Sequence, residues 1–160
     1  MVWVTGCLAV GPYPLGPALD ELVNAGVTHV LNVGDGPGRY PATRFEEALW
    51  IPVVDLRPLP LATAERCLSE LHRVLHREGA RTARVYVHCA AGQNRSPTIL
   101  WLYLIAAGCS AADAGERIAA ASLDACPGHP ALVTDEHVRW AQAWGRTAHP
   151  APRADLLAPA

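Results

Sequence analysis

The sequence predicts a single α/β domain built on a central mixed or parallel sheet of four to five strands flanked by helices. Its 160 residues suit one domain with one hydrophobic core. Hydrophobic residues make up 51% of the chain and charged residues 18%, which is typical of a globular protein and not of a disordered one. Through the middle of the chain, segments with strand character alternate with segments of helical periodicity, the pattern of a sheet covered by helices.

Five short segments predict strands because they are rich in β-branched or continuously apolar residues. The first two lie on either side of Gly6 and predict a hairpin. The last is almost continuously apolar, as expected of a buried central strand. The five predicted strands are residues 2–5, 8–10, 28–33, 51–54 and 84–88.

Five further segments predict helices, because their apolar residues recur at helical spacing. Gly26 ends the first of them and Ser110 caps the fourth. Residues 44–50 predict one or two additional helical turns, and residues 34–41, with three glycines and two prolines, predict a loop. The five predicted helices are residues 16–25, 62–78, 97–107, 110–121 and 130–145.

Charge, hydropathy and cysteine pattern restrict the function classes. The formal net charge of −2 gives no basic field, so we expect no nucleic-acid partner. The longest apolar run, residues 98–108, is shorter than the roughly 20 residues of a membrane span, and the first ten residues do not resemble a secretory signal, so we expect no membrane association. The five cysteines are odd in number and contain no CxxC pair, which favours a reducing cytoplasm over a disulfide framework.

The segment that carries chemistry follows the predicted strand 84–88. Its small residues form a loop that leads directly into a predicted helix. Such a loop can direct several backbone N–H groups to one point, and together with the helix dipole they form an anion site. The predicted phosphate-binding residues are Ala90, Ala91, Gly92, Gln93, Asn94 and Arg95.

Three side chains in this segment have the properties that phosphoryl transfer needs. The same field stabilises a thiolate, so Cys89 is the candidate nucleophile. Arg95 follows six residues later, where its planar fork can hold two phosphate oxygens in the ground state and in the transition state. The hydroxyl of Ser96 is placed to bond the sulfur and help it leave, or to cap the helix. Covalent catalysis through a phosphocysteine needs no metal or cofactor.

The complete pattern His88-Cys89-x-x-Gly92-x-x-Arg95-Ser96 resembles the HCxxGxxR[ST] phosphate loop of the protein-tyrosine phosphatase superfamily. The length of the chain, segment 26–33 and segment 51–55 resemble the compact dual-specificity branch. The resemblance implies a dual-specificity phosphatase-like fold, with a phosphatase domain over residues 1–146 and a poorly ordered tail, rich in Pro and Ala, over residues 147–160. His88 precedes the loop on a buried strand, so we expect it to orient the loop and not to transfer protons.

The leaving oxygen needs a proton, so a carboxylic acid must stand across the phosphorus atom from the sulfur. Asp55 is the candidate, because it ends a predicted strand and the carboxyl ends of strands share one rim of an α/β sheet. In the resemblance, segment 51–55 also corresponds to the strand that leads to the general acid. Asp35, in the glycine-rich loop after the preceding strand, is the alternative.

Several other functions stay open at this stage. The favoured partner is a phosphorylated protein or peptide. Superfamily members that act on RNA 5′-phosphates, phosphoinositides or inositol phosphates share the mechanism, but the first have His where this chain has Ala91, and the lipid-directed members often have lysine where this chain has Ala90 or Gln93. A phosphate-binding module without turnover is a third possibility. His72 and His76 have a spacing that can bind zinc, although a solvated helix face is the simpler interpretation. The sequence does not predict the oligomeric state.

Overall fold

The computed structural model describes residues 1–77, 83–148 and 158. They form one α/β domain, a five-stranded mixed sheet flanked by helices, as the sequence predicts. The strands are β1 (Val2–Trp3), β2 (Leu8–Gly11), β3 (His29–Asn32), β4 (Glu47–Trp50) and β5 (Val85–His88). The helices are α1 (Pro17–Asn24), α2 (Leu61–Leu75), α3 (Arg95–Ala106), α4 (Ala111–Ala121) and α5 (Asp135–Ala148), and a 3₁₀ turn at Ala42–Arg44 precedes β4.

The strands lie in the order β1-β2-β5-β3-β4. β1 and β2 form the predicted antiparallel hairpin, whereas β2, β5, β3 and β4 run parallel to one another. The last residues of these four strands are in register: Gly11 and Asn32 both pair with His88, and Asn32 pairs with Trp50. The loops that follow the parallel strands therefore leave the sheet along one edge.

The sheet is buried on both faces, as expected of parallel strands between helices. Successive residues of β5 alternate between two hydrophobic clusters: Val85 and Val87 face the cluster that includes α2, α3, α4 and α5, and Tyr86 faces the cluster that includes α1. Every residue of α3 except Trp101 is buried. Because α3 is buried so completely, its first turn is fixed relative to the end of β5.

Two sequence predictions between β3 and α2 are wrong. The predicted helical turns at residues 44–50 are replaced by β4, since only Arg44 belongs to a 3₁₀ turn and Glu47–Trp50 pair with β3. Residues 51–54 are not a strand and have no regular structure. Pro52 has no N–H to donate to a neighbouring strand, so the ladder ends after the bond from Ile51 N–H to the Asn32 carbonyl (2.9 Å).

The helix boundaries shift by a few residues from the predicted ones. α3 begins two residues before Pro97, which fits because a proline in the first helical turn loses no hydrogen bond. α5 begins at Asp135 and not at Pro130, after a turn in which Leu132 N–H donates to the His129 carbonyl. The predicted end of α2 at Glu78 lies outside the described residues.

The C-terminal tail is described only in part. α5 includes Thr147 and Ala148, which the sequence analysis assigned to the tail. Apart from Ala158, the remainder of the predicted tail lies outside the described residues. Within the ranges that the structure covers, none of the helices combines the length and the apolar character needed to traverse a bilayer.

His88, the last residue of β5, is fully buried among aromatic rings. Its ring stacks on Tyr86 (5.6 Å between centroids) and meets the edges of Tyr13 and Tyr40. Nδ1 lies 3.0 Å from the Cys89 carbonyl, which can only accept, so Nδ1 carries the proton and Nε2 accepts from the Tyr40 hydroxyl at 2.9 Å. Burial lowers the pKa of His88 to about 4, although the bond to Cys89 opposes this shift. The imidazole is therefore neutral near pH 7.

We expect His88 to make folding sensitive to mild acid. Its pKa is about 4 in the folded protein and that of an ordinary imidazole, 6.5, in the unfolded chain. Between these two pH values the unfolded chain binds more protons than the folded protein. The stability that is present above pH 6.5 is therefore lost progressively as the pH falls from 6.5 to about 4. The shift corresponds to about 3 kcal/mol. Urea unfolding at several pH values should show a shallower acid loss for His88→Asn than for wild type, and equal pH slopes would contradict the assignment.

Candidate active site

The loop 89–94 leaves β5 and enters α3, and the carbonyl groups of Ala90 and Gln93 are bonded to other segments of the chain. The Ala90 carbonyl accepts from Tyr13 N–H (2.9 Å), and the Gln93 carbonyl accepts from Cys126 N–H (2.7 Å). In a trans peptide the C=O and the following N–H point in opposite directions. The N–H groups of Ala91 and Asn94 therefore point away from these outer segments, as an anion-binding nest requires.

Gly92 allows the loop to curl against β2. Its φ of +75° is in the left-handed region that glycine adopts without steric cost. A Cβ at this position would lie 2.5 Å from the carbonyl carbon of Gly11 and 2.6 Å from the nitrogen of Pro12. Because both of these are backbone atoms, no side-chain rotation can make room. The glycine of the motif is therefore required by the close approach of two loops.

The sulfur of Cys89 receives two hydrogen-bond donors. Gly92 N–H and the Ser96 hydroxyl each lie 3.3 Å from Sγ. Cys89 is 2% exposed and Ser96 is fully buried. Donors that point at a sulfur stabilise its negatively charged form. The arrangement can therefore support a nucleophilic thiolate.

Arg95 is buried but is surrounded by acceptors. Its Nη1 lies 2.8 Å from Asp35 Oδ2 and 3.4 Å from the Val53 carbonyl, and its Nη2 lies 3.6 Å from Asp55 Oδ2. Burial disfavours the positive charge, but the hydrogen bond to Asp35 and the charges of Cys89, Asp55 and Asp35 outweigh it and raise the pKa of the guanidinium. Nε is buried and has no hydrogen-bond partner in the described structure. A guanidinium with an unpartnered N–H group still has a donor to offer to an oxyanion.

Asp55 lies in the irregular segment after β4, on the same side of the sheet as Arg95. Its Oδ1 accepts from the N–H of Leu56 (3.1 Å), and its side chain is 40% exposed. Leu56 itself has a φ of +52°, a left-handed conformation that costs a non-glycine residue about 1–2 kcal/mol. Strained backbone of this kind often occurs at functional loops. The carboxyl group is close enough to the guanidinium to share its site while it stays open to solvent.

A cavity of about 420 Å³ opens over Cys89. Tyr13, Leu15 and Pro37 form its apolar walls, and Asp35 and Arg39 supply charge. A ring-bearing phosphate ester can enter such a cleft.

The structure thus brings together most of the residues predicted from sequence. His88, Cys89, Gly92, Arg95 and Ser96 meet at the junction of β5 and α3, and Asp55 approaches from the next loop. Ala90, Ala91 and Gln93 are exposed, and Asn94 precedes the first residue of α3.

Three neighbours of the site were not predicted. Tyr13 and Tyr40 contact His88 from loops that are distant in sequence, and no local motif marks them. The sequence suggests Asp35 only as an alternative acid, whereas in the structure it pairs with Arg95. Among the described residues, no group of three or more His, Cys, Asp or Glu is arranged to hold a metal ion, and the rings of His72 and His76 stack on each other at 4.0 Å.

Solved structures of phosphatases share this fold. DUSP15 superposes with a TM-score of 0.72 at 22% identity, covering 92% of this chain and 94% of its own. Human DUSP28 superposes with a TM-score of 0.71 at 24% identity, covering 92% of this chain and 99% of its own. PTPMT1 in complex with PI(5)P superposes with a TM-score of 0.66 at 21% identity, covering 92% of this chain and 95% of its own.

The family itself is shown by sequence. The family model described as "Dual specificity phosphatase, catalytic domain" matches residues 8–122, which include the whole loop 89–94 and Asp55. That match spans most of the chain, so this protein belongs to the dual specificity phosphatase family.

Proposed function

We propose that this protein hydrolyses phosphomonoesters through a phosphocysteine on Cys89, with a phosphorylated protein or peptide as substrate. The observation that carries the proposal is the convergence of two donors on one sulfur, together with a buried guanidinium whose Nε has no hydrogen-bond partner in the described structure. The proposed catalytic domain is residues 1–146, and a nucleophilic thiol suits a cytoplasmic location, where it stays reduced.

In the first step, the Cys89 thiolate attacks phosphorus while the bond from phosphorus to the leaving oxygen breaks. Arg95 and the backbone N–H groups of the loop bind the non-bridging oxygens, whose charge is spread in the transition state. The leaving oxygen takes a proton from the Asp55 carboxyl group. The products of this step are the free alcohol or phenol and the phosphocysteine.

In the second step, water attacks the phosphorus of the phosphocysteine. The Asp55 carboxylate takes a proton from the water as the phosphorus–sulfur bond breaks. The sulfur leaves as a thiolate, and the Ser96 hydroxyl, 3.3 Å from Sγ, stabilises it by donating a hydrogen bond. Inorganic phosphate is released and the enzyme returns to its starting state.

The contacts favour Asp55 over Asp35 as the acid. Asp35 lies at hydrogen-bonding distance from Arg95, and a carboxylate in that bond acts as an acceptor and not as a proton donor. Asp55 is farther from the guanidinium, with 3.6 Å between Oδ2 and Nη2, so its carboxyl group is less engaged as an acceptor.

The substrate class is supported by the charge of the site. The loop presents Ala90, Ala91 and Gln93 where a polyanionic substrate would be expected to meet cations, and the carboxylate of Asp35 offsets the charge of Arg39 in the cavity wall. The walls formed by Tyr13, Leu15 and Pro37 suit a phenyl ring. These features favour phosphotyrosine, with phosphoserine and phosphothreonine as secondary substrates, over phosphoinositides or RNA 5′-phosphates.

The nucleophile and the acid can be tested together with two aryl phosphates. We expect Cys89→Ser to abolish turnover of para-nitrophenyl phosphate, while the matched control Cys109→Ser remains active. Asp55→Asn should slow the hydrolysis of phenyl phosphate by about 10²-fold or more. Phenol has a pKa of about 10, like tyrosine, so its departure from phosphorus depends on a proton donor. The better leaving group, nitrophenolate, should be affected less. Asp20→Asn is the control for loss of an exposed carboxylate.

Two results would contradict this assignment. Normal hydrolysis of phenyl phosphate by Asp55→Asn would place the acid elsewhere. A wild-type protein that is folded but inactive on both esters and on phosphotyrosine peptides would favour a phosphate-binding module without turnover.

The role of Ser96 has its own kinetic signature. Because its hydroxyl contacts the departing sulfur, Ser96→Ala should slow the second step more than the first. Stopped-flow measurements should then show a burst of nitrophenol, equal to about one per enzyme, before a slow steady state. Slowing of both steps without a burst would indicate that Ser96 only stabilises the first turn of α3.

A further inference from the structure

We propose that Asp35 is a positioning residue for Arg95, fixing the guanidinium so that its Nε–Nη2 edge faces the phosphate. This inference rests on the proposed function, because it assigns a role within the same site. It does not depend on whether Asp55 is the acid.

The hydrogen atoms of Arg95 are divided between two sides of the guanidinium. Nη1 carries two hydrogens, and its two acceptors are Asp35 Oδ2 at 2.8 Å and the Val53 carbonyl at 3.4 Å. Nε, on the opposite side, is buried and has no hydrogen-bond partner in the described structure. Nη2 approaches Asp55 only at 3.6 Å. The edge formed by Nε and Nη2 is therefore available for two parallel bonds to an oxyanion.

Asp35 is itself held by the frame of the sheet. The side-chain oxygen of Asn32 accepts from Gly34 N–H, and its amide nitrogen donates to the Gly36 carbonyl, both at 2.8 Å. Trp50 Nε1–H donates to the Gly34 carbonyl at 3.0 Å. Asn32 is 1% exposed and pairs with Trp50 at the ends of β3 and β4. The loop 34–36 is thus pinned at both ends, with Asp35 at its middle.

The loop also passes close to the nucleophile. A Cβ on Gly34 would lie 3.6 Å from the carbonyl carbon of Cys89 and 3.7 Å from its Cα. The segment that carries Asp35 is therefore packed against the phosphate loop, and its position is coupled to that of the sulfur. The long side chain of an arginine has many rotamers, and a carboxylate fixed in this way can hold Arg95 in one of them.

Three roles for Asp35 predict different behaviour of two variants. Asp35→Ala and Asp35→Asn remove the same charge, but the amide oxygen of Asn can still accept from Nη1. If Asp35 positions Arg95, Asn rescues what Ala loses. If the carboxylate competes with phosphate for Arg95, both variants bind phosphate more tightly. If Asp35 donates the proton, Asn is as defective as Ala, and the defect grows with the pKa of the leaving group.

The experiment measures kcat and KM for para-nitrophenyl phosphate and phenyl phosphate, together with competitive inhibition by inorganic phosphate. We expect Asp35→Ala to lower kcat/KM about tenfold on both esters alike and to weaken phosphate inhibition to a similar extent. Asp35→Asn should recover most of both losses. Asp20→Ala is the matched control, because the side chains of Asp20 and Asp35 are similarly exposed, at 66% and 69%. Asp20 pairs with a different arginine, Arg44, at 2.7 Å.

A second variant tests the frame behind Asp35. Trp50→Phe keeps an aromatic ring but removes the donor to the Gly34 carbonyl, so it should shift kcat/KM and phosphate inhibition in the same direction as Asp35→Ala, by a smaller factor. Unchanged constants for Asp35→Ala, tighter phosphate binding by both Asp35 variants, or a defect confined to phenyl phosphate would each overturn the proposal. Failure of the proposed function is distinguishable, because calorimetric titration with inorganic phosphate reports on Asp35 even if wild type hydrolyses neither ester.

Discussion

Arg95 places a positive charge where its side chain is only 3% exposed, and much of the site is arranged around that charge. A buried cation is stable only when acceptors replace the water it has lost. Asp35, Asp55 and the Val53 carbonyl supply those acceptors, and they come from the loops after β3 and β4. The guanidinium therefore joins three separate segments of chain at one edge of the sheet.

This junction depends on the register of the parallel strands. Gly11, Asn32, Trp50 and His88 are the last residues of their strands and lie in one row. The loops that follow consequently start side by side, which lets Gly92 pack on the backbone of Gly11. A shift of β3 by one residue would move Asn32 off this edge and release the loop that holds Asp35.

The chemistry of the site also depends on a histidine that is kept neutral. His88 is enclosed by aromatic rings and bonded on both nitrogens, so it links the Tyr40 hydroxyl to the carbonyl of Cys89. A charge on this ring would lie under the phosphate loop without water to solvate it. Both ring nitrogens are thus engaged in contacts that tie the loop to Tyr40.

Local sequence was sufficient to predict the α/β class, the hairpin and the strand–loop–helix around Cys89, because each of these is marked by residues that lie close together in the chain. The segment 44–54 was predicted wrongly, since its strand is specified by pairing with β3 and is ended by Pro52. Tyr40 and Tyr13, which contact His88, precede it by 48 and 75 positions. The ion pair between Asp35 and Arg95 joins residues 60 positions apart. The sequence by itself determined which groups are available for chemistry; only the tertiary structure decided which carboxylate meets which nitrogen, because those contacts arise from the alignment of strand ends that are remote in the chain.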